Sequence, residues 1–226
     1  MANSSDQDID KIRAVINRVL NTRQESGGSR GKARAEILIH AIGVFSVRGL
    51  ERTTVQDLLD AAGVSRRTFY KYFQNKEDVL EKLYIFSIEN MILQFRQSTE
   101  RSRSVEDVIA RSCSLYFDYH LGMGPIIRLM MEEARRANSV LAPHRDTAYR
   151  TVAEVMRAEM YRHTGRDLDI MLYMGLIWLL ESYSSHLLAK PEYSPQEIEH
   201  YKRIVSGIVE AVLIGKADFQ KLQTHA

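Results

Sequence analysis

The sequence predicts an all-α protein, with a small basic helical domain near the N-terminus followed by a larger helical domain. Apolar residues recur at intervals of three and four along most of the 226 residues. No segment alternates with period two for long enough to indicate a strand. Glycine (12) and proline (4) are scarce, and all four prolines lie in the second half. Helical spacing with few breakers favours long helices over a β-sandwich.

Composition indicates a folded globular chain. Hydrophobic residues make up 45% and charged residues 27%, close to globular averages, so we expect neither disorder nor a collagen-like repeat. The longest apolar run, residues 170–180, is too short to cross a bilayer, which takes about 20 residues. The single cysteine, Cys113, cannot form an internal disulfide, and the polar start does not resemble a secretory signal. We therefore expect a cytoplasmic protein with no membrane partner.

The net charge of +2 is unevenly distributed. Residues 30–82 carry ten basic and seven acidic side chains, residues 1–29 are balanced, and residues 83–226 have a net charge of −1. A local positive excess suits a polyanion such as nucleic acid, because neutralised phosphates release their counterions. The same excess also fits an ordinary solvated surface, so charge alone assigns no partner.

The N-terminal 29 residues predict a short extension. Apolar residues from Ile9 to Leu20 have helical spacing, and the glycines at 27, 28 and 31 then interrupt the pattern. Two interpretations stay open: a loosely packed extension, or an extra helix that docks on the body or on a second subunit. An apolar stripe from Ile37 to Phe45 predicts the first helix of the basic domain, which Gly49 is placed to end.

Two short helices around a glycine turn are expected next. Thr54 is a suitable N-cap, and Asp57 stands three residues later as its capping partner. Gly63 supplies a tight turn, and Ser65 can cap a second short helix that buries Phe69.

Longer helices account for the rest of the chain. One begins near Asn75 and joins the basic domain, residues 30–76, to the larger domain, residues 77–226. Five more helices are predicted over 104–120, 124–137, 144–164, 167–189 and 195–214.

The pair of short helices has the layout of a helix-turn-helix DNA reader. Such a second helix enters a major groove about 12 Å wide and presents its exposed side chains to base edges. The exposed candidates are Arg66, Arg67, Tyr70 and Lys71. An arginine fork can donate two parallel hydrogen bonds to guanine. Candidates for phosphate contacts, which fix register without reading sequence, are Thr54, Thr68, Tyr72 and Lys76.

The motif residues follow one another in a specific order: Thr54, Leu58-Leu59, Ala62-Gly63-Val64-Ser65, Thr68-Phe69-Tyr70, Tyr72-Phe73 and Lys76-Glu77. This order makes residues 32–80 closely similar to the N-terminal domain of the tetracycline-repressor (TetR) family. The rest of the chain matches the family only in its helical layout. Arg67 is a departure, because glycine is frequent there, and it adds a further candidate base contact.

The resemblance implies a homodimeric transcription regulator on a palindromic double-stranded DNA operator, most often a repressor released by a small, largely apolar effector. By family position, the residues near bases are Gln56, Arg66, Arg67 and Tyr70, and Ser65 and Lys71 complete the expected DNA-binding set. Basic residues ahead of the first helix, Arg30, Lys32 and Arg34, could also reach phosphates or a minor groove.

The larger domain is expected to hold the dimer interface, in its last two helices, and a ligand pocket. Candidate lining residues are Tyr116, His120, Arg128, Tyr149, Met156, Trp178 and Tyr183. Each of these residues could equally have a structural role, and Glu132, one turn after Arg128, is that cation's simplest partner. A ligand that shifts helices 104–120 and 124–137 would tilt the joining helix and separate the two DNA-reading heads.

An enzyme is poorly supported, since the chain has no nucleophile elbow, Walker loop or dinucleotide fingerprint. We expect no cofactor and no metal: only one Glu-x-x-His unit, Glu197–His200, is present. The alternatives left open are an activator, a regulator controlled by a protein partner, and a DNA binder without a ligand. A cavity of a few hundred Å³ would favour the ligand-controlled repressor, and a closed core the ligand-independent binder.

Overall fold

The computed structural model describes residues 29–190 and 192–215. Within these ranges the chain forms helices and no strand, which confirms the all-α prediction. The helices are α1 (Ser29–Arg52), α2 (Val55–Ala62), α3 (Arg66–Tyr70), α4 (Lys76–Thr99), α5 (Val105–Gly122), α6 (Pro125–Ala134), α7 (Ala142–Thr164), α8 (Ile170–Leu188) and α9 (Pro195–Ile214). The predicted extension lies outside the described residues, apart from residue 29.

Local breakers and caps fix the helix ends. The regular geometry of α1 breaks at Gly49 (φ 70°, ψ 172°), where the sequence predicts its end, although the helix resumes as far as Arg52. The α7 helix begins two residues earlier than expected, because Pro143 fits the first turn of a helix and does not interrupt it. The α8 helix begins later, since the Asp169 side chain caps it by accepting from the Met171 N–H at 2.7 Å.

The chain packs as two compact units. The first contains the described residues up to 91 together with residues 122–145, and the second contains residues 92–121 and 146–215. The predicted functional boundary between residues 76 and 77 stays a prediction. Within the described residues, no helix is long and apolar enough to cross a membrane.

The first unit packs α2, α3 and α6 around α1. Its core is a set of fully or almost fully buried apolar side chains: Ile37, Leu38, Ala41, Phe45, Leu58, Phe69 and Phe73. An ion pair joins the end of α1 to the second residue after α6, where Arg136 Nη1 lies 3.3 Å from Glu51 Oε1. The apolar core therefore holds the two short helices on a longer one.

The second unit packs α5, α7, α8 and α9, with the last residues of α4. The α5 and α8 helices pack against each other, since His120 lies against Ser184 and both helices line one cavity. Cys113 is buried on α5, as expected for a small apolar residue. Burial raises the pKa of its thiol to about 12, so the thiol stays protonated.

Candidate functional site

The beginning of α2 is fixed by a complete capping box. Thr54 Oγ1 accepts from the Asp57 N–H at 3.2 Å, and Asp57 Oδ2 accepts from the Thr54 N–H at 2.8 Å. Arg48 of α1 adds an ion pair to the same carboxylate at 2.6 Å. The backbone hydrogen bond from Thr54, followed by its hydroxyl and by Arg48, holds the pKa of Asp57 below its usual value. These contacts tie α2 to α1.

The turn between α2 and α3 depends on one left-handed residue. Gly63 has φ 62° and ψ 33°, a conformation that costs little only for glycine. Ser65 then caps α3, because its Oγ accepts from the Thr68 N–H at 3.2 Å. Phe69, fully buried, anchors the short helix and packs against Phe73 with ring centroids 5.7 Å apart.

Three of the predicted base-reading residues lie exposed on α3. Arg66 Nη2 donates to Gln56 Oε1 of α2 at 3.2 Å, so two of the predicted reading residues are linked across the turn. Arg67 is exposed and makes no hydrogen bond or ion pair with the described part of the chain. Tyr70 is 51% exposed and packs edge-on against Phe69. This surface offers two guanidinium groups and a phenol to a partner.

The remaining predicted DNA-contact residues surround this cluster. Thr54 and Ser65 are exposed at the two caps, whereas Thr68 and Tyr72 are half-buried. Lys71 is exposed, with Nζ 5.7 Å from the centroid of the Tyr72 ring. The three basic residues expected ahead of the first helix lie within its first turns, because α1 already begins at Ser29. Lys32 is exposed and Arg34 lies over the Phe86 ring; the side chain of Arg30 is outside the described residues.

Lys76 differs from its expected role. Its ammonium donates to the carbonyls of Leu50 at 2.8 Å, Glu51 at 3.1 Å and Thr53 at 2.8 Å. An ammonium has three N–H donors, and all three are taken here. Lys76 therefore has no N–H donor left for a phosphate. Its ammonium instead links the start of α4 to the end of α1.

The second unit contains a narrow apolar cavity of about 40 Å³. Its lining residues come from α4, α5, α7, α8 and α9 and are mostly aliphatic or aromatic. They include Ser112, Cys113, Tyr116, Met156 and Tyr173. Such a volume holds a water molecule or two, whereas drug-sized ligands occupy roughly 300–1,000 Å³.

Two of the seven predicted pocket residues, Tyr116 and Met156, line this cavity. Arg128 does not line it. Arg128 is exposed on α6 and forms an ion pair with Glu132 at 2.9 Å, so it is not a buried cation that needs an anionic ligand. Trp178 is 42% exposed, because the inward face of α8 carries its neighbours Ile177 and Leu180.

The other three predicted pocket residues lie outside the lining of this cavity as well. Tyr149 is buried within α7. Tyr183 is half-buried and packs edge-on against Tyr201, with ring centroids 5.6 Å apart. His120 is buried one turn beyond Tyr116, with Nδ1 3.3 Å from Ser184 Oγ. Burial lowers the pKa of His120 to about 4, so its ring is neutral near pH 7.

Sequence reasoning missed residues at the predicted DNA-binding surface and at the cavity of the second unit. Asp60 accepts from Gln56 Nε2 at 2.8 Å and so orients an expected base-reading side chain. In the cavity, Ser112 and Cys113 lie one turn before Tyr116 on α5. Helical spacing could have identified them, because residues three and four positions before Tyr116 share its face of the helix. Tyr173 of α8 carries no comparable signal in the sequence, because apolar residues occur on several faces of that helix.

The match to a known family lies in the first unit. Residues 37–83 match the family model described as "Bacterial regulatory proteins, tetR family". The HTH-type transcriptional repressor KstR2 of Rhodococcus jostii is 32% identical over 73 residues, which are 32% of this chain and 35% of that protein. The chain thus matches about a third of the length of this curated relative.

Solved structures share the fold over most of the chain. The fatty acid degradation regulator FadR from Bacillus halodurans superposes with a TM-score of 0.68 at 20% identity, covering 83% of this chain and 96% of that one. FadR from Bacillus subtilis, solved in complex with stearoyl-CoA, gives a TM-score of 0.67 at 18% identity, covering 80% and 98%. At these identities the likeness concerns the fold alone.

Proposed function

We propose that the chain is a transcriptional repressor of the TetR family, whose model its helix-turn-helix segment matches, and that it binds DNA as a homodimer. In this proposal it leaves a palindromic operator when a small, largely apolar ligand binds. One observation carries the DNA-binding part of the proposal: Arg66, Arg67 and Tyr70 are exposed together on α3. This helix is held in place by its caps and by a buried phenylalanine.

The proposed reading mode is insertion of α3 into the major groove. Arg67 is the strongest candidate for a bidentate contact with guanine, because no protein group in the described chain competes for its donors. Arg66 reaches the groove as a pair with Gln56, whose amide it contacts. Thr54, Thr68 and Tyr72 are the proposed phosphate contacts. Lys76 is not among them, because its ammonium donates to three backbone carbonyls.

The proposed dimer uses the outer faces of α8 and α9. Met171 and Trp178 are exposed two turns apart on one face of α8, and the residue between them is the small Gly175. Val212 is exposed on α9. Exposed apolar residues at helical spacing mark an interaction surface, and two helices from each subunit can pack as a four-helix interface. A dimer would present two copies of α3 to grooves roughly 34 Å apart.

Ligand control is supported by the solved relative that carries stearoyl-CoA, whereas the cavity of about 40 Å³ is smaller than the few hundred Å³ that an effector needs. The α4 helix is continuous from Lys76 to Thr99, and its first residue is hydrogen-bonded to the end of α1. A ligand that displaces the far end of α4 would therefore move the helix-turn-helix. By linkage, the ligand weakens DNA binding only as much as DNA weakens ligand binding, typically by about 1–3 kcal/mol.

A second candidate is a regulator that needs no small ligand. The size of the cavity, about 40 Å³, favours it, because an effector of ordinary size enters only if the side chains move. The two candidates share the operator and differ in whether any small apolar compound lowers operator affinity.

Selection of bound duplexes from a random pool by the full-length protein tests the proposal. The expected result is a palindrome with half-sites about one helical turn apart, or a multiple of that. In vitro transcription from a promoter that carries the selected site then gives the sign of regulation, with repression expected. Recovery of unrelated sequences with no shared site would overturn sequence-specific recognition.

A further inference from the structure

Three exposed side chains on the helix-turn-helix form a chain of hydrogen bonds. Asp60 Oδ1 accepts from Gln56 Nε2 at 2.8 Å, and Gln56 Oε1 accepts from Arg66 Nη2 at 3.2 Å. Asp60 lies one turn after Gln56 on α2, whereas Arg66 is the first residue of α3. The Gln56 amide is therefore held between a carboxylate of its own helix and a guanidinium of the helix that is proposed to enter the major groove.

The groups at the two ends of this chain fix which way the amide points. A carboxylate only accepts hydrogen bonds and a guanidinium only donates them, so the amide nitrogen must face Asp60 and the amide oxygen must face Arg66. The reversed amide would set two acceptors against each other at Asp60 and two donors against each other at Arg66. The contact with Asp60 is the shorter of the two, which makes the carboxylate the stronger constraint on the amide.

The oriented amide keeps one donor and one acceptor for a partner. Asp60 uses one of its two N–H groups, and Arg66 uses one of the two lone pairs on its oxygen. Adenine presents an acceptor, N7, and a donor, its amino group, at the major-groove edge, and these match the sites that Gln56 has left. Guanine presents two acceptors there, so its oxygen would face the Gln56 oxygen unfavourably. The fixed amide therefore discriminates adenine from guanine.

The position of Asp60 is a second reason to assign it this role. It lies in the last turn of α2, where a carboxylate interacts unfavourably with the helix dipole. It also lies beside a surface that is proposed to approach phosphates, where a negative charge lowers the affinity for every DNA sequence. This carboxylate therefore serves neither the stability of α2 nor the overall affinity for DNA, whereas base discrimination does require it.

We propose that Asp60 is a positioning residue that makes Gln56 selective for adenine at one base pair of each half-site. Asp60 acts through the Gln56 amide and touches no base itself. This inference rests on the proposed DNA binding and adds the identity of one base to it. Removing the carboxylate frees the second N–H of the amide, which can then donate to both guanine acceptors. The consequence is a variant that accepts guanine where the wild type selects adenine.

Selection from a random pool of duplexes by full-length Gln56→Ala, compared with selection by the wild type, identifies the base pair that Gln56 reads. The affinities of the wild type, Asp60→Ala and Asp60→Asn are then measured on duplexes that carry each of the four base pairs at that position. The wild type is expected to prefer adenine to guanine by roughly 5–100-fold, and Asp60→Ala is expected to lower that preference roughly 3–10-fold. Asp60→Asn removes the same charge but keeps an acceptor for Gln56, so it should retain most of the preference.

Asp60→Ala in the Gln56→Ala background completes the test, since a residue that acts only through Gln56 has no further effect on base preference once that amide is gone. The inference is overturned if Gln56 reads no base pair or one other than A·T, or if Asp60→Ala keeps the full preference for adenine. It is also overturned if Asp60→Ala weakens all four duplexes alike, or if Asp60→Asn loses the preference as fully as Asp60→Ala. Where the wild type still selects a shared palindrome, the proposed DNA binding stands and only the role of Asp60 fails.

Discussion

Replacing Lys76 by methionine tests whether this residue links two helices or contacts DNA. Methionine keeps most of the length of the side chain and removes the ammonium. In the structure that ammonium donates to the carbonyls of Leu50, Glu51 and Thr53. Lys76→Met therefore removes three hydrogen bonds at once and leaves the end of α1 without its partner from α4.

The expected loss of stability follows from the surroundings of those carbonyls. The hydrogen bonds to Leu50 and Thr53 are part-buried, whereas the one to Glu51 is exposed and water can replace it. A net value of about 1–1.5 kcal/mol for each part-buried bond gives a loss of about 2–3 kcal/mol. For a protein of this size, such a loss lowers the Tm by roughly 5–10 °C.

Urea unfolding of the full-length protein, followed by circular dichroism, measures this loss. Lys71→Met is the matched control, because Lys71 is exposed and its closest described contact is the Tyr72 ring. Operator affinity is measured as a function of salt at a temperature where both variants are folded. The salt slope should stay at the wild-type value for Lys76→Met, since this residue contacts no phosphate.

The opposite pair of results would refute this role of Lys76. If Lys76→Met unfolded at the wild-type urea concentration and its salt slope fell by about 0.9, the residue would bind a phosphate and the three carbonyl contacts would contribute little.

Three further predictions follow from the caps, the buried histidine and the outer face of α8. Thr54→Ala should cost about 1 kcal/mol in urea unfolding, because it removes the N-cap of α2, whereas Thr54→Ser should cost little. The pKa of His120 is about 4 in the folded protein, below its ordinary value of 6.5, so protons bind the unfolded state preferentially. Stability should be complete above about pH 6.5 and fall by about 3 kcal/mol towards pH 4, and His120→Gln should flatten that dependence; a slope unchanged in this variant would contradict it. Trp178→Glu should convert the proposed dimer to a monomer in sedimentation, and a wild-type dimerisation constant would exclude this face of α8 as the interface.

Local chemistry explains which features the sequence could predict. A cap involves residues three or four positions apart, so Thr54, Gly63 and Ser65 were assigned correctly from their neighbours alone. Arg128 pairs with Glu132 on the same helix, which was the simpler of the two interpretations. Lys76 could not be predicted in this way, because its acceptors lie 23–26 residues earlier in the chain.

The cavity was harder to predict, because α8 does not have one apolar face. Apolar residues occur all round this helix, and periodicity then cannot say which side is buried. Trp178 was expected to line the pocket and lies 42% exposed, whereas Tyr173 and Ile177 face the cavity. A residue on such a helix can be assigned only from its tertiary neighbours.

The most direct test of recognition by α3 compares Arg66→Ala, Arg67→Ala and the wild type on every single-base variant of the selected operator. Each substitution is expected to cost about 1–3 kcal/mol and to abolish the preference at one base pair, repeated symmetrically in both half-sites. A uniform weakening on all variants, with every base preference intact, would contradict base reading by these side chains and leave them only a phosphate-contact role.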